Sequence, residues 1–168
     1  MKKITIKKTC LTLMLISTLV LSQKVFAALP PGYKLSQPIS TYNSIGEWTR
    51  ALEPANKNYN CLAYAVDAGT VKGHYNTYWW EWPWGKKAHY GQVNGYMFDK
   101  GYKISDTPIR AEVMSYGKDL FSIEHFAKSH AQGSAAKWGP LEVMLSPNWN
   151  PYVGKSDGYG RLQERYIK

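Results

Sequence analysis

Apolar and polar positions follow two rhythms along this chain, and the change falls near Gly101. Before it, apolar residues recur at helical intervals. Ile45, Trp48 and Leu52 share one helix face, with Ser44 and Glu47 spaced as a capping box and Pro54 as the stop. Leu62, Ala63, Ala65 and Val66 predict a short apolar helix, capped by Asn60 and stopped by Gly69. Val93, Tyr96 and Met97 place another helix over Gly91–Lys100, with Gly101 ending it. Beyond Gly101 the segments shorten and take strand character. They are Tyr102–Ser105, Ala111–Tyr116, Ser122–Lys128, Ser134–Trp138 and Tyr159–Ile167, divided by Gly, Pro, Asn and Asp. Gln132-Gly133 suits a hairpin turn, and Asn148 to Gly158 reads as a polar loop. Helices first and antiparallel strands later predict an α+β domain.

The amino-terminal pattern belongs to neither rhythm. Lys2, Lys3, Lys7 and Lys8 precede an apolar run from Leu11 to Leu21, and Val25-Phe26-Ala27 resembles a cleavage site. Residues 1–27 thus read as a secretory signal peptide, residues 28–43 as an extended lead-in, and residues 44–168 as one domain. The expected location is the periplasm or the medium, with no stable membrane anchor and a monomeric chain. The leader takes five of the 21 basic residues and none of the 12 acidic ones, so the net charge falls from +9 to +4. No dense basic stripe remains, which argues against nucleic acid as a partner.

Export makes the cysteine count informative. Of the two cysteines, Cys10 leaves with the leader, and Cys61 stays alone. A lone thiol in an oxidising compartment is either an intermolecular bridge or a reactive group. Cys61 opens the apolar helix directly after its cap, where the helix dipole favours thiolate. A thiol nucleophile needs a base, and four histidines are available: His74, His89, His125 and His130. His125 is the best placed, on a strand where Ile123, His125 and Ala127 would share an inward face. Four of the seven tryptophans crowd into His74–Gly85, either filling the core edge or lining a cleft wall. Trp79, Trp80 and Trp84, with Asn60, are the candidate substrate contacts. No zinc-ligand spacing, phosphate loop or paired carboxylates occur, so neither metal nor cofactor is expected.

The order of these motifs resembles that of papain-like cell-wall peptidases of the NlpC type and their amidase relatives. It is closest to an uncharacterised bacterial family within that group. The likeness runs from Asn58 to Lys168. It rests on Asn60-Cys61-Leu62-Ala63-Tyr64-Ala65, Trp79-Trp80-Glu81-Trp82-Pro83, Tyr116-Gly117 ahead of His125, Lys137-Trp138-Gly139-Pro140-Leu141-Glu142, and Tyr159-Gly160. The resemblance implies a papain-like fold, with the Cys61 helix packed on an antiparallel sheet of about five strands. It also implies Cys61 as nucleophile and His125 as base. Such families add a polar residue that orients the base, often histidine, and here that position holds Ser146. Glu142 and Ser134 are alternative orienters. The expected activity is that of an exported cysteine hydrolase cleaving an amide bond, as in cell-envelope peptides. The same dyad serves deamidation or transglutamination in a secreted effector. The rival expectation is a non-catalytic module gripping glycan or peptide through the tryptophan-rich loop.

Overall fold

The computed structural model describes residues 31–66, 82–85, 87–107, 109–131 and 133–168. The leader, Gly69, His74, Trp79, Trp80 and Gln132 lie outside the described residues. The described elements are three helices and seven strands, an α+β arrangement. The helices are α1 (Ile39–Ile45), α2 (Cys61–Val66) and α3 (Tyr90–Asp99). The strands are β1 (Arg50–Glu53), β2 (Lys103–Ile104), β3 (Val113–Gly117), β4 (Ile123–His130), β5 (Gly133–Lys137), β6 (Val143–Ser146) and β7 (Arg161–Ile167). They form one antiparallel sheet in the order β1-β6-β5-β4-β3-β7-β2.

Two helices lie where the periodicity put them. In α3, the His89 side chain accepts from the Gly91 N–H at 3.1 Å, and Gln92 closes a capping box. Val93 and Met97 are buried, and Gly101 (φ +83°) carries the chain out. The first helix differs. The segment expected to be extended contains α1, and the expected helix from Ser44 to Leu52 contains β1 instead. Pro38, with φ fixed at −56°, opens α1, and Ser44 Oγ bonds back to the Thr41 carbonyl at 2.9 Å rather than capping a new helix. Gly46 is extended and lies against Trp138 and Tyr152, where a Cβ would stand 3.0 Å from each ring. That close approach turns the chain out of the helix, and Arg50, Ala51 and Glu53 then pair with β6 as β1.

Both faces of the sheet are covered, and neighbours along a strand face opposite cores. Val113, Phe126, Ala135, Val143 and Leu52 pack with the α2 side. Met114, Ala127, Ala136, Met144 and Ala51 pack on the other face, with Tyr42 of α1, Trp138 and Tyr152. This is why strands such as Gly133–Lys137 are buried at every position.

One irregularity decides where His125 points. Tyr116 pairs with His125 and Gly117 pairs with Ile123, so Glu124 is an extra residue, a β-bulge. The expected common face of Ile123, His125 and Ala127 is therefore split. Ile123 joins the α2 core, whereas His125 packs with Ala127's side of the sheet, against Tyr116 and Tyr152.

Candidate functional site

Cys61 begins α2 as the residue reading requires. The Asn60 side chain accepts from the Ala63 N–H at 2.9 Å, and its carbonyl accepts from Tyr64 N–H at 3.0 Å. Asn60 is itself buried, so its side chain acts as the cap of the helix. The Cys61 residue is 6% exposed and packs in the core with Leu62, Ile123 and Phe126. Burial pushes its thiol up to about 12. The backbone N–H groups of Phe126, Leu62 and Cys61 face the sulfur and pull the other way, as does the Lys137 ammonium. Phe126 directly follows His125, so the sulfur meets β4 one residue past the imidazole.

His125 is 1% exposed and stacks flat on Tyr159, with centroids 3.8 Å apart and planes at 6°. Tyr152 meets it nearly edge-on at 5.1 Å, and Tyr116 lies 6.1 Å away. Burial alone drives the imidazole down to about 3, so it is neutral at pH 7. Its Nε2 is 3.1 Å from the Tyr152 hydroxyl. Burial pushes both tyrosine hydroxyls well above the usual phenol value, and the nearby Cys61 sulfur adds to this in each. The Cys61 sulfur is thus within electrostatic reach of both phenols, although Cys61 packs in the α2-side core and His125 on the other face of the sheet. Among the described residues, no hydrogen bond joins Cys61 to His125.

The residue that holds the imidazole is Tyr152, not Ser146. Ser146 lies on β6, two strands from β4, and its buried hydroxyl forms no hydrogen bond among the described residues. Glu142 is engaged elsewhere. It accepts from the Ser36 N–H at 2.8 Å, from Tyr33 Oη at 3.0 Å and from Tyr42 Oη, pinning the lead-in against the sheet. Ser134 Oγ bonds the Asn148 carbonyl at 3.4 Å. Lys137 is fully buried, and its Nζ donates to the carbonyls of Asn56 (2.9 Å), Gly139 (2.9 Å) and Leu141. Burial lowers its pKa to about 8, against the pull of Glu142, Glu53 and Cys61. Of the tryptophan contacts, Trp84 is half-buried and packs edge-on against Tyr96 at 5.2 Å and Trp82 at 5.8 Å, as part of the α2-side core.

Tyr152 lies in the loop between β6 and β7, which reads in the sequence only as polar punctuation. Its neighbourhood was visible in a weak signal, the aromatic pair Tyr152 and Tyr159 bracketing two glycines. The loop is fastened to α1 and the segment after it. Pro151 accepts from Glu47 N–H, and Ser44 accepts from Asp157 N–H, each at 2.9 Å.

Among the described residues no three His, Cys, Asp or Glu side chains converge to hold a metal, and no helix is long and apolar enough to cross a membrane. A family model described as "Domain of unknown function (DUF7689)" matches residues 50–167. No curated protein and no solved structure showed a match to the chain.

Proposed function

The chain belongs to the DUF7689 domain family, and from that premise and the site geometry we propose that it is a papain-like thiol hydrolase acting on an amide bond. The observation that carries the reading is the position of the Cys61 sulfur. It faces the N–H of Phe126, the residue bonded to His125, as well as its own N–H and that of Leu62. In the proposed reaction His125 takes the thiol proton as sulfur attacks the substrate carbonyl. The backbone N–H groups hold the resulting oxyanion. When the C–N bond breaks, the proton passes to the departing amine. Water, deprotonated by His125, then attacks the thioester and frees the acid and the thiol. Tyr152 holds the imidazole at Nε2, leaving Nδ1 for the proton transfer. A neutral phenol orients the ring but stabilises imidazolium less than a carboxylate would.

At rest the proton stays on sulfur. With the thiol near 12 and the imidazole near 3, moving it costs on the order of 10 kcal/mol before the two charges attract. Reaction therefore requires opening of the tyrosine cover and a local rearrangement of β4 that brings the imidazole to the sulfur. The leader reading makes the chain an exported protein, and envelope peptides are the proposed substrates.

The test is intact-mass trapping. The chain is incubated with soluble peptidoglycan peptides and with a panel of activated acyl amides, then quenched in acid. An acyl adduct mapped to Cys61, absent in Cys61→Ala and reduced in His125→Gln, supports the hydrolase. No adduct and no released amine across the panel would overturn it. The sealed, neutral state of both groups favours a second reading, a binding module that never turns over. That module would bind peptidoglycan fragments equally well with Cys61→Ala and release no amine.

A further inference from the structure

On the solvent side of the tyrosine cover lies an open groove of about 690 Å³, a volume within the range of small-molecule sites. We propose that this groove is a binding site for a small polyanion, one carrying several carboxylate or phosphate oxygens. The proposal goes beyond the hydrolase reading and does not require Cys61 to react.

The charges around the groove decide its preference. Lys118, Lys155 and Arg161 line it, and among the described residues none of the three has a carboxylate within ion-pair distance. Two acidic residues line it as well, Glu124 and Asp157. Glu124 is already engaged by Lys87 at 3.1 Å and by Ser122 Oγ at 2.8 Å. Asp157 is left as the one carboxylate of the lining without a cationic partner, against three cations. The lining is thus net positive and suits an anion with more than one acidic group.

The shape is built in advance. Gly154 (φ +72°) and Gly160 (φ +87°) take left-handed turns at either end of the loop segment. A Cβ on Gly158 would stand 2.3 Å from the Tyr152 carbonyl, and one on Gly160 would stand 2.3 Å from the Gly117 carbonyl. The loop thus packs too closely to relax without breaking these contacts, and Pro151 and Asp157 tie it to the rest of the chain. A preformed lining saves the ordering cost that usually weakens loop sites. The groove wall includes Tyr152 and Tyr159, the two rings that enclose His125. A bound anion would therefore sit against the cover of the buried site.

Isothermal titration calorimetry on the full chain, with pyrophosphate and citrate as probes, tests the proposal. At least one probe should bind with a Kd below about 1 mM. Lys118→Gln, Lys155→Gln and Arg161→Gln should each weaken it about tenfold, the loss expected for one charge-assisted hydrogen bond. Asp157→Asn should tighten it, and Cys61→Ala should leave it unchanged. Preference for pyrophosphate identifies phosphate as the anion, and preference for citrate identifies carboxylate; either supports the site. Circular dichroism melts show that the variants fold. The proposal is overturned if neither probe binds by about 10 mM, or if affinity survives the triple substitution. It is also overturned if Lys34→Gln and Lys103→Gln, away from the groove, weaken binding as much.

Discussion

Acid should unfold this protein through one imidazole. His125 is buried and neutral in the fold, with its pKa lowered from 6.5 to about 3 by burial. Between those values the unfolded chain holds a proton that the folded chain excludes, so stability falls as pH drops from 6.5 toward 3. The loss from His125 alone is about 5 kcal/mol across that window, a slope of about 1.4 kcal/mol per pH unit. That is comparable with the whole stability of many small domains. The assay is urea unfolding followed by tryptophan fluorescence at half-unit steps from pH 7 to 4. His125→Gln removes the titrating group while keeping a polar side chain, so subtracting its curve cancels the carboxylates. It also cancels His130, whose pKa burial and Arg50 lower as well. The difference should rise steadily with acid. A flat difference would refute the claim that His125 is sealed and uncharged. If His125→Gln does not fold, a proton-nitrogen spectrum of the native imidazole answers instead, since His125 should stay neutral at pH 5.

Three further outcomes follow from named contacts. Tyr152→Phe removes the hydroxyl bonded to Nε2 of His125, so it should cost about 1 kcal/mol in urea unfolding and shift the imidazole nitrogen resonances. Gly160→Ala places a Cβ against the Gly117 carbonyl at a positive φ; a loss of about 2–4 kcal/mol is expected, read as a lower Tm. Glu142→Gln keeps the shape but removes the charge that accepts from Tyr33, Tyr42 and Ser36. Hydrogen exchange over residues 33–42 should speed up while the amides of β4 change little.

What the sequence discloses follows from how local each cause is. Asn60 capping the Cys61 helix and Val93 and Met97 burying one face of α3 are local events, and both are legible. Strand β6 is not, because Val143–Ser146 is four residues long and faces a core on each side, so no alternation marks it. Strand β1 fails for a different reason: Ile45, Trp48 and Leu52 happen to match a helical interval, while tertiary packing of Gly46 against Trp138 and Tyr152 forces extension. The β-bulge at Glu124 is set by pairing with β3, which the β4 residues alone do not announce. The site follows the same rule. Cys61 and His125 are marked by residue type, but Tyr152 acts on His125 from a loop 27 positions later in the chain. Ser146 stands in the right order along the chain and on the wrong strand for contact.

The most direct measurement is iodoacetamide labelling of Cys61 in native buffer, followed by mass spectrometry as a function of pH and urea. Opening of the tyrosine cover without global unfolding predicts labelling below the unfolding transition, slower in His125→Gln and faster in Tyr159→Ala. Labelling that appears only as the chain unfolds, at the same rate with or without His125, would contradict the pairing of this thiol with this imidazole.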